Sequence, residues 1–100
     1  GGDYDAAGRL YVRLSKALDH AGDAEGAARE LGHAASCAMA KRDWAGACAL
    51  CDQALRADPN NATLRLQRAR CRKGAGRVRE AESDARQAAR RATAAERADP

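Results

Sequence analysis

The residues with the most chemical potential in this chain are four cysteines, Cys37, Cys48, Cys51 and Cys71, and the histidine His33. If two antiparallel helices meet in a hairpin about residues 42 and 43, Cys37 and Cys48 lie level across it. His33 then sits one turn along the first helix and Cys51 nearly one turn along the second. Three thiolates and an imidazole could make a tetrahedral zinc site, although the helical spacing is not that of zinc ribbons. Packing accounts for the same residues more simply: Cys37 and Cys71 occupy equivalent small-residue positions, and free cysteine is commonly buried. Neither a metal nor any other cofactor is therefore expected. Cys48-Ala49-Leu50-Cys51 has the two-residue spacing of redox motifs, but it falls within a helical pattern and lacks the βαβ setting that such chemistry uses. No serine, threonine or cysteine has a spacing that implies a base and an orienting acid, and no glycine-rich phosphate loop follows a strand. A non-enzymatic protein is expected.

A second cluster is cationic: Arg65, Arg68, Arg70, Arg72, Lys73 and Arg77 could meet phosphates. The charge is uneven, with 7 basic and 9 acidic side chains in residues 1–61 against 11 and 5 in residues 62–100. No aromatic residues are interleaved with these bases, and the familiar nucleic-acid signatures are missing, so an acidic protein partner is the better expectation and nucleic acid a second alternative.

The elements that position these residues are helical. Hydrophobic residues make up 45% of the chain and aromatics 3%, with no Phe, so alanine, the best helix former, carries much of the apolar content. Apolar steps of three and four at Tyr4, Ala7, Tyr11, Leu14 and Leu18 predict a first helix over about 3–20. Asp23 caps a second over about 23–41, and Asp43 a third over about 44–57, which Asp58-Pro59-Asn60-Asn61 ends. A fourth is expected over about 62–73, stopped by Gly74 and Gly76, and a fifth over about 77–97 with Val78, Ala81, Ala85, Ala88, Ala92 and Ala95 as its stripe. Trp44 is expected to wedge against the second helix near Met39 and Ala40. Residues 1–100 read as one all-α domain of antiparallel hairpins. No run reaches the length of a membrane span, so a soluble, cytoplasmic protein is the default.

The chain also repeats itself. Ala28 and Ala62, Ala35 and Ala69, Cys37 and Cys71, Ala47 and Ala81, Gln53 and Gln87, and Ala54 and Ala88 each lie 34 residues apart. That is the tetratricopeptide period. Asp43-Trp44-Ala45-Gly46-Ala47, with Cys51, Ala54, Leu55 and the following proline turn, resembles the second helix of a tetratricopeptide repeat. Gly76-Arg77-Val78-Arg79-Glu80-Ala81 with Ala85 and Ala88 resembles that helix one repeat later, and Gly2-Asp3-Tyr4-Asp5-Ala6-Ala7 with Tyr11 one repeat earlier. The chain would then begin midway through a repeat. Arg65, Arg68 and Arg72 stand where the family prefers apolar residues.

Within the family, His33-Ala34-Ala35-Ser36-Cys37, Leu66-Gln67-Arg68-Ala69-Arg70-Cys71 and an apparent longer linker over residues 19–27 are similar to co-chaperone domains that hold acidic tails. The charged clamp of that subclass is degenerate here, with His33, Thr63 and Gln67 at its sites. The resemblance implies a concave helical groove for an acidic peptide, tail or partner protein. Its partner-binding residues would be Arg29, His33, Ser36, Met39 and Ala40 on the second helix, and Thr63, Leu66, Gln67, Arg70 and Lys73 on the fourth. The alternative is a purely structural segment of a larger repeat array or assembly.

Overall fold

The computed structural model describes the backbone of residues 3–98 and the side chains of residues 3–91. Gly2, and the side chains of Ala92 and Ala95 in the expected last stripe, lie outside the described residues. The described residues form four helices: α1 (Tyr4–His20), α2 (Ala24–Ala40), α3 (Trp44–Ala57) and α4 (Ala62–Ala98). No strand occurs among the described residues.

The first three helices begin where an aspartate can satisfy an orphan amide. Asp3 accepts from Ala6 N at 3.0 Å, Asp23 from Gly26 N at 2.8 Å and Asp43 from Gly46 N at 3.0 Å. Each is an N-cap whose carboxylate meets the positive end of its helix. Each of the two turns between these helices contains one residue with positive φ, Gly22 at 84° in the first and Arg42 at 61° in the second. Only residues 21–23 separate α1 from α2. The apparent long linker over residues 19–27 is therefore absent: its ends are helical because Asp23 caps α2 at once.

The core lies between α2, α3 and the first half of α4. One cluster joins Ala28, Leu31, Ala54, Leu55 and Leu64, and another joins Ala35, Ala38, Ala47, Cys51 and Cys71. α1 packs on α2. Its buried face is thin: Leu10, Leu14 and Tyr4 are exposed.

The expected fourth and fifth helices are one continuous helix, α4, of 37 residues. Three features of the sequence account for this. Thirty-four residues beyond Lys41-Arg42-Asp43 stand Ala75-Gly76-Arg77, so the capping aspartate is replaced by an arginine that has no acceptor to offer. Leu31, Ala34 and Ala38, all buried in α2, correspond to Arg65, Arg68 and Arg72, and a returning helix would have to desolvate those cations. That helix could offer in exchange only Val78 and alanines, which bury little area.

Gly74 is not a stop signal. A Cβ placed on it would fall 2.5 Å from Cε3 of Trp44, so this mid-helix glycine makes room for the indole of α3. Residues 77–91 of α4 are exposed on every side. The radius of gyration is accordingly 19.0 Å, against about 13 Å for a compact chain of this length.

The arginines that break the family pattern are used locally. Arg65 donates to the Pro59 carbonyl at 2.8 Å, and Arg68 lies 3.5 Å from Asp52 on α3. Helix α4 is anchored by the row Leu64, Gln67, Cys71 and Gly74, spaced three and four apart and therefore on one face. Asn61 caps its start by accepting from Leu64 N at 3.1 Å.

Candidate peptide-binding groove

Helices α2 and α4 run in the same direction, one repeat apart, and the space between them is an open groove of about 940 Å³. Six of the seven residues at the centre of the expected site line it: Arg29, His33, Ser36 and Met39 from α2, and Gln67 and Arg70 from α4. Ala40, Thr63 and Leu66, the flanking positions of the same rows, line it too. Lys73 does not. It lines an adjoining notch together with Met39, Trp44 and Arg70. Its neighbours there include Ala40 in the last turn of α2 and Arg42 in the turn that follows.

Three of the polar side chains in the groove are held by partners. Gln67 Nε2 donates to the Gly32 carbonyl at 2.8 Å and to Ser36 Oγ at 2.9 Å. Ser36 Oγ lies 3.3 Å from that same carbonyl. Ser36 and Gln67 thus form a tie between α2 and α4 that fixes the groove width. His33 stacks on Tyr11 of α1, with ring centroids 5.1 Å apart and planes at 32°. Its imidazole is braced by an aromatic neighbour and directed by it.

Charge is graded along the groove. Glu25 and Asp58 lie toward the N-terminal end of α2 and Arg70 toward its C-terminal end, beside Met39, Ala40 and Trp44. Arg29 is exposed and lies 3.7 Å from Glu30. Glu25, Asp58, Asn61 and Trp44 also line the groove, outside the residue rows expected from the sequence. Asp58 and Asn61 belong to the proline turn, whose side chains are drawn inward when Asn61 donates to Asp58 at 3.1 Å. The spacing of the helix rows carries no signal for such a turn.

The trio-of-thiols arrangement dissolves. Cys37 faces Gly8 of α1, whose Cβ position is 3.7 Å from Cys37 Cβ, while His33 turns to Tyr11. Cys51 meets Cys71 instead, with the two Sγ atoms 3.8 Å apart and both residues fully buried. Among the described residues no group of three His, Cys, Asp or Glu side chains is placed to hold a metal ion. All four cysteines are free thiols. Burial pushes the Cys71 thiol up to about 12 and raises that of Cys51, the opposite of the shift that activates a nucleophilic cysteine.

A second cleft of about 390 Å³ lies among α1, α2 and α3, floored by Ala34, Cys37 and Leu50. Its mouth carries the ion pair of Asp5 with Lys41. Hydrogen bonding to the Lys41 ammonium lowers the Asp5 carboxyl below its usual range. Among the described residues no helix is long and apolar enough to cross a membrane.

In comparisons with known proteins, the family model described as tetratricopeptide repeat matches residues 38–100. No curated protein and no solved structure matches the chain.

Proposed function

This chain belongs to the tetratricopeptide-repeat family, and from that membership we propose that its protein-interaction role is exercised in the groove between α2 and α4, on an acidic peptide or tail. Stacked helix pairs of this kind present concave surfaces that take extended segments. The observation that carries the reading is the position of Arg29 and Arg70 on facing helices across a groove already held at fixed width by Ser36 and Gln67. A preformed groove spares the ordering cost of binding, and the cations supply orientation and on-rate. The acidic residues of the ligand meet the Arg70 end, because Glu25 and Asp58 repel them from the other.

The reading does not include the charged clamp of co-chaperones. At the three matching sites, His33 is stacked, Gln67 spends its amide on the α2 backbone, and Thr63 has no charge to offer. The test is Arg70→Glu with Lys73→Glu, assayed for binding to fluorescent acidic peptides. Affinity should fall more than about ten-fold and the loss should shrink at high salt. Unchanged affinity would put the ligand on another surface.

A second reading, a structural segment of a larger array or assembly, is favoured by Leu10 at 55% and Leu14 at 42% exposure on α1. Repeat arrays bury such faces against the next helix pair. Pull-downs with this chain and with α1 variants Leu10→Ser and Leu14→Ser separate the two: loss of partner only in the α1 variants supports the scaffold.

A further inference from the structure

Where the groove passes the end of α2 it opens into the adjoining notch, about 540 Å³ in volume, with Arg42, Arg70, Lys73 and Arg77 around Trp44 and Met39. No carboxylate lines it. The other cations near the groove are answered: Arg29 by Glu30, Lys41 by Asp5 and Arg68 by Asp52. Among the described residues, none of the four notch cations forms an ion pair with an acid. Three of them, Arg70, Lys73 and Arg77, lie at steps of three and four on one side of α4 and repel one another. The fourth comes from the α2–α3 turn, where Arg42 holds φ at 61°. The corresponding place in the α1–α2 turn is Gly22, which takes that conformation without strain. The arginine therefore sits in a strained position beside a cationic notch, as residues at ligand clamps do.

The geometry points to a seat for a phosphorylated side chain of the bound peptide, an inference that rests on the acidic-peptide reading above and adds the class of anion. A carboxylate has two oxygens and one charge, which a single guanidinium fork satisfies. A phosphate has three terminal oxygens and a charge of about −1.5 to −2 near neutral pH, and it can engage several cations from different elements at once. One such anion can therefore meet several of the four at once, where one carboxylate meets a single fork. Trp44 and Met39 supply an apolar wall for the stem of the phosphorylated residue. A nucleic-acid strand is disfavoured because strand binding uses successive aromatic platforms, and Trp44 is the one aromatic residue lining the notch.

The probes are short polyglutamate peptides, fluorescently labelled, with a central phosphoserine, glutamate or serine, titrated against the full chain at physiological salt. The phosphoserine peptide should bind about ten-fold tighter than its glutamate counterpart. Arg42→Ala and Lys73→Ala should each erase most of that advantage, whereas Arg90→Ala, which lies outside the notch, should preserve it. Lowering the pH through about 6, where the phosphate takes up its second proton, should weaken the phosphopeptide alone. Equal binding of the phosphoserine and glutamate peptides, or an advantage that survives in Arg42→Ala and Lys73→Ala, overturns the inference. So does an unlabelled single-stranded oligonucleotide that displaces the phosphopeptide at lower concentration than free phosphopeptide does. Acidic peptides that bind in an Arg29-dependent way without any phosphate gain sink the notch and leave the groove reading standing. Failure of all three peptides to bind sinks both.

Discussion

Gly74→Ala and Gly76→Ala lie two residues apart in the same helix and should shift stability in opposite directions. In an ordinary helix interior, replacing glycine by alanine stabilises by about 0.5–1 kcal/mol. Gly76 has nothing within 4 Å of its Cβ position, so it should show that gain in full. At Gly74 the new methyl would stand 2.5, 2.6 and 2.7 Å from Cε3, Cδ2 and Cζ3 of Trp44. Carbon pairs rest at about 3.5–4.0 Å, so the indole must retreat by about 1 Å, and overpacking of this kind costs about 1–3 kcal/mol. The propensity gain is common to both variants, so the difference between them isolates the ring contact at about 1–3 kcal/mol. Thermal unfolding followed by circular dichroism resolves it, because about 1 kcal/mol moves the midpoint of a domain of this size by about 4–8 °C. Equal stabilisation by the two changes would refute the placement of Trp44 over Gly74. A loss of stability in Gly76→Ala would refute the continuous helix, since alanine is disfavoured at a site with positive φ, and would mean a hairpin turn at that position.

Trp44→Ala should cost about 2 kcal/mol, less than the 3–5 of a fully buried aromatic, because the side chain is half-buried; a melting curve identical to the parent chain's would contradict its packing role. The buried thiols give a pH dependence with a definite sign. Cys71, raised from an ordinary 9.0 to about 12, stays protonated in the folded chain while the unfolded chain ionises. Its contribution is complete below about pH 9 and is lost as the pH climbs from there toward 12, so Cys71→Ala should flatten the alkaline fall in denaturant midpoint. Arg42→Gly should gain about 1 kcal/mol by relieving the left-handed backbone while weakening phosphopeptide binding, and a variant that gained stability with no loss of binding would separate the strain from the ligand.

The fold class was legible because its signals are local and redundant. Asp3, Asp23 and Asp43 each sit before an apolar-periodic run, Pro59 ends α3, and the 34-residue recurrence of Ala, Cys and Gln fixes the repeat. The same local rules misread residues 74–76. Two nearby glycines look like a helix end, yet one is a clearance for an indole thirty residues away, and the turn lacks the aspartate that the other two have. Most of the groove rows were legible, since residues spaced three and four apart share a helix face. What the spacing could not reveal is which side chains are spent on one another. The bond from Gln67 to Ser36 and the stacking of His33 on Tyr11 depend on how far apart two helices come to rest. The pairing of Cys51 with Cys71, rather than with Cys48 or Cys37, depends on the rotation of α4 about its own axis.

Because each helix leans chiefly on its neighbours in sequence, cooperativity in this chain passes along a line, and α2 is the joint through which α1 is coupled to everything else. Its buried row of Ala27, Ala28, Leu31, Ala34, Ala35 and Ala38 is touched from one side by α1 and from the other by α3. Local opening should therefore be ordered in space. Backbone amides in residues 77–91 exchange with solvent first, those of α1 next, and those of α2 and α3 only when the whole chain opens. A substitution that loosens α2 would divide one unfolding event into two, releasing α1 while α3 and the first half of α4 still hold together.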